Sequence, residues 1–105
     1  MNQLPFVVDK VESDNEVRLF ISGDLDLATA PQLREVLLPL AEKETKPLRM
    51  NLRELHYMDS TGLGVFIAAL KLRNSIDSEI YLEEVPDKIQ RIFQISGVDQ
   101  YLTMV

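Results

Sequence analysis

Two short stretches near the start of the chain alternate apolar and polar residues. Phe6 to Val11 reads as a strand, and Glu16 to Ser22 places Val17, Leu19 and Ile21 on one face. The polar run Ser13-Asp14-Asn15 predicts a turn between them, so the pair forms a hairpin leading into Gly23. The period then changes. Leu33, Val36, Leu37, Leu40 and Ala41 recur at helical intervals. Thr29 can cap this first helix, Pro31 suits its first turn, and Gln32 completes a capping-box spacing. Pro39 has no N–H for the carbonyl of Glu35, which predicts a kink or an early end.

Alternation returns after Pro47, with Leu48, Met50 and Leu52 in a strand. Arg53 to Met58 reads as a short loop that delivers the chain to Asp59. From Ser60 to about Arg73 the pattern is helical and apolar on most sides, through Leu63, Val65, Phe66, Ile67, Leu70 and Leu72. Such a helix is expected to be covered on most of its surface. Glu79 to Glu83 reads as a strand. Pro86 to Ser96 reads as a helix on Ile89, Ile92 and Phe93, with Gly97 as its stop. Tyr101 to Val105 closes the chain as a short strand. Strands and helices thus alternate after the opening hairpin. The expected class is α/β, a mixed four- to five-stranded β-sheet with helices packed on it.

Composition narrows the function classes. The chain has 105 residues, the size of one domain, so residues 1–105 are expected to share one core. Eleven basic residues against 17 acidic ones leave a net charge of −6. Nucleic-acid binding depends on neutralising phosphates with Lys and Arg, so no nucleic-acid partner is expected. Anionic membrane surfaces are disfavoured for the same reason. The acidity fits either a basic partner surface or plain solubility. There is no cysteine, which excludes disulfides, thiolate catalysis and cysteine-ligated zinc. Met1 to Pro5 shows no basic-then-apolar secretory pattern, and the apolar run Leu63 to Leu70 is far too short to span a bilayer. The expected location is the cytoplasm.

The chemistry concentrates in one run, Tyr57-Met58-Asp59-Ser60-Thr61-Gly62-Leu63-Gly64. It falls where a helix begins. A helix start leaves backbone N–H groups without partners and carries partial positive charge, so it suits a phosphate attached to a serine. Gly62 and Gly64 each disfavour a helix by about 1 kcal/mol relative to alanine, which suggests a surface kept open. Asp and Ser ahead of an apolar run are also ordinary N-caps, and spacing does not separate the two readings. A phosphate-cradling loop would need Lys followed by Ser or Thr where Val65 and Phe66 stand. A nucleophile elbow would need glycine where Met58 stands. His56 is the single histidine and reads as a surface loop residue, with no second histidine or cysteine to share a metal. Asp24 and Asp26 can form a carboxylate group with Asp59, or Asp24-Leu25-Asp26 can be a solvated turn. No Lys or Arg sits in the run to stabilise a transferring phosphoryl group, so the pattern is that of a kinase substrate and not a kinase.

The run Tyr57 to Phe66 resembles the signature of bacterial anti-anti-sigma factors, the STAS-domain family. Gly23-Asp24-Leu25-Asp26, with Thr29-Ala30-Pro31 and Leu33-Arg34, is similar to the second segment shared in that family. Asp24 stands where many relatives have glutamate, which keeps the charge. The details resemble the antagonists of the general-stress sigma factor's inhibitor. The resemblance implies no catalytic activity, no cofactor and no metal. It implies partner switching: the unphosphorylated protein binds an anti-sigma factor serine kinase and the sigma factor is released. Phosphorylation of Ser60, with Thr61 as the alternative acceptor, weakens that complex, and a serine phosphatase restores it. Asp24, Asp26, Asp59, Ser60, Thr61, Gly62 and Leu63 would form the partner surface. Two other readings are a STAS scaffold subunit without phosphorylation and a nucleotide-binding regulator. The serine in the run speaks against the first, and the missing phosphate-binding lysine against the second.

Overall fold

Strand β2 (Val17–Leu25) organises the sheet, because three other strands pair along it. Its residues alternate between core and surface: Val17, Leu19, Ile21, Gly23 and Leu25 are buried. That alternation is what the sequence predicts, but the strand runs three residues further, so Asp24 and Leu25 belong to it and the turn begins at Asp26. The computed structural model describes residues 5–74 and 80–105. Met1 to Leu4 and Glu79, which enter the expectations above, lie outside the described residues.

Strand β1 (Val7–Glu12) pairs antiparallel with β2, from Val7 opposite Ser22 to Glu12 opposite Val17. The hairpin turn is closed by Ser13, whose N–H donates to Glu16 O at 2.9 Å and whose Oγ accepts from the N–H of Asn15 and Glu16. Helix α1 (Ala30–Lys43) leads to β3 (Leu48–Asn51), and helix α2 (Ser60–Asn74) leads to β5 (Ile80–Glu83). Between β3 and α2 lies β4 (Leu55–Met58). Helix α3 (Asp87–Ser96) ends at Gly97, and a 3-10 turn (Val98–Tyr101) precedes β6 (Thr103–Met104). The strands run β1-β2-β3-β5-β6, all parallel except β1, with β4 paired to β2 beyond the end of β3.

Among the described residues the sheet has six strands, against the four to five that the sequence suggested. The segment Arg53 to Met58, expected as a loop, contains β4. Its exposure explains the miss: Leu55 and Met58 are buried while His56 and Tyr57 are both exposed, so no alternation appears. Pro39 does not end α1, which continues to Lys43. Gln32 does not complete a capping box; its side-chain amide donates to Phe6 O at 3.2 Å.

The core lies on one face of the sheet. Leu33, Leu37 and Ala41 of α1, Val65, Phe66 and Ala69 of α2, and Ile89 and Phe93 of α3 meet the buried strand residues there. Phe66 and Phe93 join α2 to α3 edge to face, with centroids 5.5 Å apart. The opposite face carries a network of charged side chains, with Phe20 and Val11 exposed beside it. Arg18 and Arg49 both reach Glu16 and Glu83, and the Arg49 guanidinium sits 4.7 Å from the centre of the Tyr81 ring.

Among the described residues one charged side chain enters the interior. Arg73, in the last turn of α2, is only 2% exposed. Its guanidinium donates to the carbonyls of Leu40, Glu44 and Lys46, which belong to the end of α1 and the segment after it. The last carbonyls of a helix have no partner within it, so Arg73 closes α1 from a neighbouring helix. Replacing Arg73 with methionine keeps most of the volume and removes the donors to Glu44 O and Lys46 O, while Leu40 O keeps the Glu44 N–H. Arg73→Met is expected to destabilise the fold by about 3 kcal/mol. The measurement is urea unfolding: the midpoint should fall with the slope unchanged, and Arg73→Lys should lose less.

Candidate functional site

Parallel pairing of β2 with β4 brings the two candidate segments together. Gly23 lies opposite Leu55, Asp24 opposite Tyr57 and Leu25 opposite Met58. The register shifts between Gly23 and Asp24. Gly23 has φ +95°, and a Cβ there would lie 2.7 Å from Pro5 O, so this bulge needs glycine. The next residues along each strand are Asp26 and Asp59. The N–H of Asp59 donates to Leu25 O at 3.1 Å, which ties the start of α2 to the end of β2.

Asp59 is the N-cap of α2. Its Oδ1 accepts the N–H of Gly62 at 3.0 Å, and its carbonyl accepts that of Leu63 at 3.0 Å. This separates two roles that spacing had left together. The aspartate caps, and Ser60 is the first helical residue beyond it. Ser60 is exposed, and its hydroxyl makes no hydrogen bond among the described residues. Thr61 is half-buried.

Gly62 and Gly64 divide differently from the expectation of an open surface. Gly62 is buried, and a Cβ on it would lie 2.6 Å from Leu25 Cγ and 2.8 Å from Cδ2. Its missing side chain serves internal packing. Gly64 is the open one, with no atom within 4 Å of where a Cβ would stand. Leu63 is half-buried against the core.

Asp26 builds the β2–α1 turn. Its Oδ1 accepts from the N–H of Ala28 at 2.9 Å and of Thr29 at 3.1 Å, and its own N–H donates to Thr29 Oγ1 at 2.9 Å. The Thr29 hydroxyl turns back to Asp24 O at 2.8 Å and makes no side-chain cap on α1. The Asp24 carboxylate is half-buried and has no partner among the described residues. Residues 19–33 and 54–70 contain no Lys or Arg, so Asp24, Asp26, Glu54 and Asp59 give this end of the sheet an acidic character. Among the described residues no group of three or more His, Asp or Glu is arranged to hold a metal ion. His56 is exposed on β4 with Nε2 3.9 Å from Glu54 Oε2. No helix among the described residues is long and apolar enough to cross a membrane.

The family model described as "Mlab, STAS domain" matches residues 8–105. The chain belongs to the STAS-domain family. An anti-sigma-B factor antagonist of Staphylococcus aureus is 40% identical to this STAS chain over 91 residues, 87% of this chain and 84% of that protein. Among solved structures, an anti-sigma factor antagonist from Mycobacterium paratuberculosis superposes with a TM-score of 0.82 at 17% identity, covering 95% of this chain and 85% of that one. The phosphorylated form of the Bacillus cell fate determinant SpoIIAA superposes with a TM-score of 0.73 at 19% identity, covering 96% and 91%. These two likenesses establish that the fold is shared.

Leu27 escaped the reading of the sequence. It is a large apolar residue 74% exposed in the turn that Asp26 builds. It continues the alternation of Val17, Leu19, Ile21 and Leu25, so the pattern alone reads it as buried; β2 ends at Leu25 and the turn leaves Leu27 outside the core.

The geometry makes three stability predictions. Asp59→Ala removes the cap and is expected to destabilise by about 1 kcal/mol in thermal or urea unfolding. Gly62→Ala must displace Leu25 and is expected to lose roughly 1–3 kcal/mol. Gly64→Ala meets no obstacle and should gain up to about 1 kcal/mol. Equal effects from the two glycine variants would contradict the placement of α2 against Leu25.

Proposed function

We propose that this chain is an anti-sigma factor antagonist, a non-catalytic protein switched by phosphorylation of Ser60. Unphosphorylated, it binds an anti-sigma factor serine kinase, and the sigma factor is released. The kinase phosphorylates Ser60, binding weakens, and a serine phosphatase resets the switch. The observation that carries this reading is the division of labour at the start of α2. Asp59 caps the helix, so the neighbouring serine hydroxyl is exposed and unbonded. The names of the relatives support it, and so does the fold shared with a phosphorylated protein. Thr61 is the poorer acceptor because it is half-buried.

The partner surface comprises Ser60, Thr61 and Leu63 with Asp24, Asp26 and Asp59. Gly62 belongs to it through the packing that sets the helix against β2. Phosphorylation adds about −1.5 to −2 charges at pH 7. Two charges about 6 Å from a carboxylate interact by roughly 5 kcal/mol at an effective dielectric near 20. N–H groups at the helix start offset part of this within the domain. A net loss of about 3 kcal/mol at the interface weakens binding more than a hundredfold. Local repulsion is therefore sufficient, and the backbone stays in place.

The test uses the purified anti-sigma kinase of the same organism with labelled ATP. Wild type is expected to be labelled and Ser60→Ala not. Equal labelling of Ser60→Ala would move the acceptor elsewhere. Ser60→Asp should bind the kinase at least about tenfold more weakly, as read by calorimetry. Unchanged affinity would remove charge as the basis of the switch.

A further inference from the structure

We propose that Leu27 is the apolar anchor of the partner surface, seated in an apolar pocket of the partner whose rim is basic. The inference rests on the reading of the Ser60 face as a docking surface and deepens it by naming a contact and the chemistry that receives it.

Leu27 is 74% exposed, while the other leucines flanking it in sequence, Leu25 and Leu33, are fully buried. A singly exposed leucine is unremarkable on most surfaces. This one differs in two respects. It stands in a turn already fixed at both sides, by the Asp26 carboxylate on the N–H groups of Ala28 and Thr29 and by the Asp26 N–H on Thr29 Oγ1. An apolar side chain on a fixed turn loses little freedom when it is buried, so binding keeps more of the gain. It also lies two residues beyond Leu25, whose carbonyl holds the Asp59 N–H at 3.1 Å, so it shares the sheet end that carries Ser60.

Charge identifies the kind of pocket. The segments 19–33 and 54–70 contribute Asp24, Asp26, Glu54 and Asp59 and no Lys or Arg. A surface with an apolar projection among carboxylates is complementary to an apolar pocket ringed by Lys or Arg. The ring faces Asp24 and Asp26 beside the leucine, which supplies the desolvated centre; at Ser60 the contact is close, so a phosphate there is excluded by its bulk and hydration and is not drawn in by the ring.

The experiment measures affinity for the purified anti-sigma kinase of the same organism by calorimetry, for wild type, Leu27→Ala, Leu27→Met and Ser60→Asp. Leu27→Ala is expected to weaken binding about tenfold or more, and Leu27→Met to retain most of it. The melting temperature of Leu27→Ala should match wild type, because the side chain is exposed. If Leu27→Ala binds within about twofold of wild type while Ser60→Asp is weakened, the anchor is overturned and the switch reading stands. If wild type does not bind, or neither variant is weakened, the switch reading fails and the anchor falls with it.

Discussion

The start of α2 has to be joined to the end of β2, and that joint governs this end of the molecule. The Asp59 N–H reaches the Leu25 carbonyl, Asp59 Oδ1 takes the Gly62 N–H, and Gly62 leaves room for the Leu25 side chain. A helix has one N-cap position, and an aspartate fills it here. The residue after the cap then falls at the first helical position, where its side chain is not needed to satisfy the backbone. The exposure of the Ser60 hydroxyl follows from the capping of the helix by its neighbour. Were Ser60 the cap, its oxygen would be committed to a backbone N–H and a kinase would have to break that bond first.

The far end of α2 is fixed as firmly. Arg73 closes the end of α1, and Phe66 meets Phe93 of α3 in the interior. Val65 and Ala69 between them have no exposed surface. A helix held at both ends and packed along its length cannot shift without opening a well-filled core. A phosphate on Ser60, as proposed, would thus act at the surface, which suits a mechanism that works through charge and contact at an interface.

The sequence made most of this fold readable because most elements bury one face. Val17, Leu19 and Ile21 alternate, Leu33, Leu37 and Ala41 recur with helical period, and Gly97 stops α3, all as the pattern predicts. What it hid were positions where local pattern and tertiary role part company. In β4, His56 and Tyr57 are both exposed, so the strand has no period to detect. In α1, Pro39 is exposed within a helix that continues past it, a tertiary override of a local rule. At the candidate site the run of residues was legible, but the roles within it were not. Spacing could not say which of Asp59 and Ser60 was the cap, nor that Gly62 is closed by Leu25 while Gly64 is open. Those distinctions depend on β2, more than thirty residues earlier in the chain.

The charge distribution bears on why added phosphate would repel and not merely reorganise the surface. A phosphoserine beside an arginine forms paired, charge-assisted hydrogen bonds, and its charge is absorbed within its own chain. Here the segments 19–33 and 54–70 carry no Lys or Arg, and three basic side chains are committed elsewhere: Arg18 and Arg49 to Glu16 and Glu83, Lys46 to Glu12. The compensation nearest at hand is the partial charge at the start of α2, where Asp59 already occupies the Gly62 N–H. Added charge would therefore remain largely unneutralised at the surface, beside Asp59 and the end of β2. Under the proposed switch, the lack of basic residues in these segments would leave a phosphate on Ser60 free to act on whatever is bound there.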